Sequence, residues 1–169
     1  MKSIKKQSGA VLVVGLVMVL VLSVVVIVSS KTTILQQKMT SNLRDKELAF
    51  QSAETALRAG EHFLDDSTET ALKAIVFDGT TAGYHNYNIV RDLTQESDWQ
   101  NLTTLESTHA LSQVKQKPVY IIEHISGIKP LGGSLQAATP EDSLYYRVTA
   151  KSKGGTDASL AILQTVYKK

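Results

Sequence analysis

From Ala10 to Val28 the chain runs for nineteen residues without a charge, and after Ala10 only Gly15 and Ser23 interrupt Val, Leu, Ile and Met. At about 1.5 Å rise per residue this run predicts a helix of roughly 28 Å, close to the hydrocarbon thickness of a bilayer. Such a helix belongs in lipid, in a bundle of like helices, or in each in turn. Lys2, Lys5 and Lys6 precede the run, and the first charge after it is Lys31. That asymmetry predicts a cytoplasmic N-terminus with the remainder across the membrane. Three readings fit the segment: a plain signal anchor, a secretory signal peptide cut near Val28-Ser29-Ser30, or cleavage on the cytoplasmic side just after Gly9.

Helical patterning then continues without a break, which favours the third reading, since a signal peptide is normally followed by unrelated sequence. Apolar or small residues recur at Leu35, Met39, Leu43, Phe50, Ala53, Leu57, Gly60 and Leu64, in steps of three, four or seven. No proline precedes Pro118, and Glu54 with Arg58 forms a favourable i,i+4 pair. The pattern predicts one helix from Ala10 to about Leu64, roughly 80 Å long. Its second half is expected to pack on its own domain. Its first half is apolar all round and needs lipid or other helices.

Lys5-Lys6-Gln7-Ser8-Gly9-Ala10 ahead of an apolar helix resembles the class III signal of type IV pilins. The stretch from Lys38 to Glu61 strongly resembles the N-terminal helix of PilX-type minor pilins. Pro118 to Glu123, Tyr146 to Ala150 and Leu163 to Tyr167 are similar to that family's globular part. The resemblance implies a pilin-like α+β fold, a long N-terminal α-helix packed against a small antiparallel β-sheet. It divides the chain into a leader (1–9), a transmembrane and assembly half-helix (10–28), an amphipathic half-helix (29–66) and a periplasmic head (67–169). It further implies cleavage after Gly9 by a prepilin peptidase, N-methylation of Ala10, and residence in the inner membrane before entry into the fibre. Implied partners are the major pilin, other minor pilins and a pilus-tip adhesin. No cofactor or metal is implied, and no nucleic acid is expected as a direct partner.

One position departs from the general pilin pattern. With Ala10 first, the fifth mature residue is Val14, where most pilins carry a glutamate thought to pair with the amino terminus of a neighbouring subunit. A lone carboxylate among apolar helices is costly unless paired, so it acts as an assembly device. Minor pilins of the filament tip, and K-type secretion pseudopilins, share its lack. A place at or near the leading end follows by resemblance, with apolar packing anywhere in the filament as the plainer explanation. Gly15, beside Val14, would let a neighbouring helix approach closely. The alternatives are a tip-type pseudopilin of a type II secretion system, a membrane-anchored periplasmic binding protein or enzyme, and a soluble protein released at Lys31.

At 169 residues the chain holds one modest domain beside the long helix. Without the three leader lysines, fifteen basic face sixteen acidic side chains, a net −1, so the overall basicity says nothing of nucleic acid. With no cysteine, the head must rely on packing, and the loop-closing disulfide of many pilins does not carry over.

After the helix, Ser29, Ser30, Thr32 and Thr33 are expected to bond back to helical carbonyls. Asp65-Asp66 makes an unfavourable C-terminus, since acids oppose the macrodipole. Asp66-Ser67-Thr68-Glu69 reads as a capping box opening a helix through about Ala74. Asp98 is expected to cap a turn at Trp99, and Thr104 to Val114 reads as a further short helix. Three strands are expected over Val119–Ile125, Leu144–Lys151 and Ser159–Tyr167, with Gly154-Gly155 as a hairpin connection and Lys129 to Asp142 as a surface loop. The sheet is expected to pack on Phe50, Ala53, Leu57 and Leu64.

Chemistry has little support. His62 shares a helical face with Asp65 and Asp66, which reads as a solvated helix end rather than half a metal site. His85, His109 and His124 are scattered, and no nucleophile-elbow, zinc-protease or phosphate-loop motif occurs. An enzyme is not expected. Tyr84, His85 and Tyr87 form a candidate exposed patch. Lys151, Lys153, Lys168 and Lys169 form a candidate basic edge, whose usual role is to block strand-to-strand aggregation. Replacing Gly9 with a bulky residue should leave uncut precursor in the membrane. Intact mass and N-terminal sequence of wild type and variant check this, a wild-type chain starting at Met1 or Lys31 being the adverse result.

Overall fold

The computed structural model describes residues 8–87, 93–109, 111–126 and 144–169. The leader lysines and the expected loop from Lys129 to Asp142 lie outside that set. The chain divides into two compact units, Met1–Leu43 and Arg44–Lys169. Helix α1 spans Ser8–Asp66, and α2 spans Glu69–Ala74. The strands are β1 (Tyr84–Asn86), β2 (Leu105–Glu106), β3 (Val119–Ile125), β4 (Tyr145–Lys153) and β5 (Leu160–Lys168), with a 3-10 helix over Glu96–Trp99. A long N-terminal helix with a small sheet is the α+β, pilin-like architecture expected.

The sheet is mixed rather than wholly antiparallel. Its order is β1-β3-β4-β5, and β2 pairs with β3 as well. β3, β4 and β5 form an antiparallel meander, with Val148 opposite both Ile122 and Thr165. β1 lies parallel to β3, pairing Tyr84 with Ile122, while β2 pairs antiparallel with Val119 and Tyr120. Parallel pairing needs a long crossover, and the chain between β1 and β3 supplies it. A three-residue strand is too short to show a period of two, so its direction was not legible. The stretch expected as a helix from Thr104 instead gives β2, whose residue Leu105 is held by Tyr120 in the ladder. The second helix is capped by Thr68, not Asp66. Ser67 N–H and Oγ both donate to Phe63 O (3.1 and 2.7 Å), so α1 keeps Asp66. Thr68 Oγ1 then accepts from Ala71 N–H at 3.3 Å. Asp98 caps its turn from within, accepting from Gln95 N–H at 2.8 Å.

The head packs on a strip of small residues along α1. Ala49, Ser52, Ala53, Ala56 and Leu64 are fully buried, as is Gly60. They recur at i, i+3, i+4, i+7 spacing. Phe50 stands one residue off this strip, about 100° round the helix, and is half exposed. It does not join the core. At Gly60 the sheet comes so near that an added Cβ would lie 2.6 Å from Val148 Cγ1 and 3.2 Å from Tyr120 Cδ2. Leu64, Leu72, Ile122, Tyr146 and Val148 form the core on this face of the sheet. On the other face, Leu93 and Trp99 cover Ile121, with Val119 and Ile162 beside them. Trp99 Nε1–H donates to Leu93 O at 3.2 Å, so the indole's one donor is satisfied.

On that second face Glu123 is fully buried and accepts from Arg147 Nε at 2.5 Å. Arg147 also stands 4.4 Å from the centroid of the Tyr87 ring. Glu123 Oε1 has no hydrogen-bond partner among the described residues. The arginine is therefore the main compensation for a carboxylate with no access to water.

Crowding at Gly60 gives a direct test. Gly60→Ala gains up to about 1 kcal/mol of helix propensity but should lose about 1–3 kcal/mol to overpacking, for a net destabilisation. Val148→Ala, which vacates the clashing methyl, should make the two changes less than additive. Urea unfolding of the full-length chain in detergent, followed by circular dichroism, measures the cycle; strict additivity is the adverse result.

Candidate functional site

The four residues singled out at the N-terminus all lie on α1. Every large apolar side chain from Val11 to Val28 is more than half exposed, with Val14 at 56%. A Cβ added to Gly9 or Gly15 meets nothing within 4 Å. The helix is long and apolar enough to cross a membrane. Four of the hydroxyls at and after this run are satisfied within the helix, Ser29 not among them. Ser23, Ser30, Thr32 and Thr33 donate to the carbonyls of Val19, Val26, Val28 and Ser29 at 2.8, 2.9, 3.2 and 3.1 Å. The surface presented by residues 10–28 is thus uncharged and internally satisfied, which suits lipid and neighbouring helices alike. Leu35, Met39 and Leu43 are exposed too.

Within the head, two devices fix the helix to the far end of the sequence. The first is Asp45. Its Oδ1 accepts from Gly155 N–H at 2.7 Å and Thr156 N–H at 3.2 Å, and its Oδ2 accepts from Thr156 Oγ1. The turn joining β4 to β5 is therefore gripped by one carboxylate. Gly154 is obligatory there, since a Cβ would lie 2.4 Å from Asp45 O. The hydroxyls of Ser159 and Thr156, with the two backbone N–H groups, hold the Asp45 carboxyl below its ordinary pKa, against a smaller opposing effect of burial. The sequence shows the Gly-Gly turn but not what it docks on.

The second device closes the end of α1. Lys169 Nζ donates to Leu64 O at 3.0 Å and Asp65 O at 2.7 Å, and Tyr167 Oη donates to Asp65 Oδ1 at 2.9 Å. An ammonium on the last carbonyls opposes the negative end of the macrodipole. The unfavourable acidic terminus is thereby offset by a residue more than a hundred positions away. No local pattern could have announced it.

The remaining candidates resolve into packing and local pairs, including His109, whose Nδ1 lies 3.1 Å from Thr108 Oγ1. His62 Nδ1 lies 2.7 Å from Asp66 Oδ2 at the exposed helix end. His85 is buried, with Nε2 2.9 Å from Thr103 O. His124 forms a three-ring cluster with Phe77 and Tyr146, tilted against them at centroid distances of 5.6 and 5.4 Å, and burial lowers its pKa. Tyr84 packs on Phe63 and Phe77. Tyr84, His85 and Tyr87 are therefore anchors of β1 and of Arg147, not an exposed patch. The four lysines do not form one edge either. Lys151 covers Trp99, Lys153 pairs with Glu96, Lys169 caps α1, and Lys168 ends β5. Among the described residues no group of three or more His, Asp or Glu is placed to hold a metal ion.

Two family models match the chain. One, described as PilX N-terminal, covers residues 8–58. The other, described as type IV pilus assembly protein PilX C-term, covers residues 52–169. No curated protein and no solved structure matches.

The Asp45 grip predicts a pH signature. A carboxyl whose pKa is lowered on folding stabilises above its unfolded value, about 3.9, and that stability is lost as pH falls through the lowered folded value. Asp45→Asn should lower the melting temperature near pH 7, and the gap from wild type should close as the pH drops below about 4. Thermal unfolding monitored by circular dichroism at stepped pH checks both arms. A gap that is constant with pH would mean the charge plays no part.

Proposed function

Since the chain belongs to the PilX family of type IV pilus assembly proteins, we propose that it primes filament growth from a place at or near the pilus tip. It is a minor pilin, and its partners are pilus components. In the proposed sequence, the leader lysines hold the N-terminus in the cytoplasm while the head crosses the inner membrane. A prepilin peptidase then cuts after Gly9, and the new amino terminus of Ala10 is methylated. Residues 10–28 next move from lipid into the helical core of the fibre. The specific partners proposed are other minor pilins, the major pilin and a tip adhesin.

The observation that carries this reading is the uncharged, fully presented surface of α1 from Val11 to Val28, with Val14 in place of a carboxylate. Lipid and helix neighbours are equally apolar, so the transfer costs little. The gain comes from close packing where a small residue admits a backbone. Gly15 is open for that approach. At Val14 there is no charge that needs a preceding subunit. A leading position therefore leaves nothing buried and unpaired, whereas a carboxylate at such depth costs about 2.5–3.5 kcal/mol or more unless matched. The protein works, on this reading, as a structural subunit without catalysis. What supports that is the engagement of its histidines in packing and local pairs.

Gly15→Leu should reduce incorporation, read as fewer surface pili in a strain carrying only the variant; normal pilus numbers would count against the packing role. For the tip, an epitope on the head should be detected by immunogold at one end of each filament. Labelling along the shaft would overturn the tip position while leaving family membership untouched.

A further inference from the structure

On the face of the sheet turned away from α1, a cavity of about 170 Å3 opens beside the buried indole of Trp99. It lies where Val119 of β3 pairs with Lys151 of β4. Lys117, Lys151, Lys153, Gln116 and Thr104 line it with Trp99, and none of its described lining residues is acidic. A concavity lined by three lysines, a glutamine and a threonine is rich in donors and carries an excess of positive charge where a lysine lacks a carboxylate.

The surrounding charges do not close among themselves. Lys153 Nζ lies 2.6 Å from Glu96 Oε1 and 3.5 Å from Asp157 Oδ1. Lys115 also pairs with Asp157, and Lys117 lies 3.2 Å from Glu106. Three carboxylates thus serve three ammonium groups, and Lys151 has no ion pair among the described residues. It stands instead 5.1 Å from the centroid of the Trp99 ring. Burial pushes its pKa down and the Lys153 charge pushes the same way, while Glu96 only partly opposes them. An aromatic face offers a cation less than a carboxylate does.

We propose that this pocket binds an oxyanion, a carboxylate or phosphate group whose oxygens accept from Lys151 and from the Lys117 and Lys153 ammonium groups beside it. The anion supplies the counter-charge that Lys151 lacks. Charge-assisted hydrogen bonds from several donors fix it in place. The site belongs to the head and does not depend on where in the filament the subunit sits.

Trp99 is the sole tryptophan of the chain, so its emission reports directly on the cation above it. The full-length protein in detergent is titrated at constant ionic strength with inorganic phosphate and, separately, with a tetraglutamate peptide, chloride serving as the control. A saturable change with either probe and none with chloride is expected, and the more potent probe tells free phosphate from an acidic protein segment. Lys151→Gln should weaken the apparent Kd at least tenfold, Lys151→Arg should restore it to within about threefold, and Lys73→Gln on α2 should match wild type. If Lys151→Gln does not fold, Lys117→Gln, which changes an exposed side chain, should still weaken binding severalfold. Emission unmoved by both probes, or equal affinity in a folded Lys151→Gln or Lys117→Gln protein, overturns the proposal.

Discussion

The close seating of β4 on α1 at Gly60 is the contact on which the head depends. With no cysteine to tie the chain, nothing but packing and hydrogen bonds holds sheet to helix. A strip of Ala, Ser and Gly lets the sheet come near enough for Val148 and Tyr120 to fill the gap left by a missing Cβ. Close packing multiplies small dispersion terms. Everything at the periphery, the Asp45 grip and the Lys169 cap included, requires that approach to have been made.

The same helix presents two kinds of surface, and its composition changes from one to the other. From Val11 to Val28 it is aliphatic on every side; from Ala49 to Gly60 it is small on the packed side and, Phe50 apart, mostly polar on the exposed side. A uniform helix would do neither job. Bulk at Gly60 would hold the sheet off, and an alanine-rich N-terminal run would be less apolar than lipid or a helix bundle calls for.

The long helix was legible because apolar periodicity persists without a proline, and the three main strands because β-branched runs sit between glycine turns. The expected strand over Val119–Ile125 matches β3 to the residue, and those expected for β4 and β5 lie within two residues of the observed bounds. The misread parts share a cause. β1 and β2 are three and two residues long, below any period, and their places are set by β3 rather than by their own sequence. Phe50 fits the apolar steps from Leu43 to Ala53 and Leu57, whereas the packed face is formed by Ala49, Ser52, Ala53 and Ala56 beside it. Capture of the β4–β5 turn by Asp45 and closure of α1 by Lys169 join residues over a hundred apart, a separation at which single residues carry no signal. The exposed apolar surface from Val11 to Val28 is legible from composition alone, since its defining property is the lack of charge.

Closure of α1 by Lys169 and Tyr167 bears on the order of events in folding. The carbonyls of Leu64 and Asp65 wait for a strand that follows every other element in the sequence. A nascent chain lacking β5 has an acidic helix end with no cation on it, and its sheet stops at β4. Loops of this span form slowly compared with helical turns. Because Gly155 and Thr156 hold Asp45 while Tyr167 and Lys169 hold Asp65, one hairpin and its tail secure the packed helix at both ends, and the seat is complete only when β5 is in place.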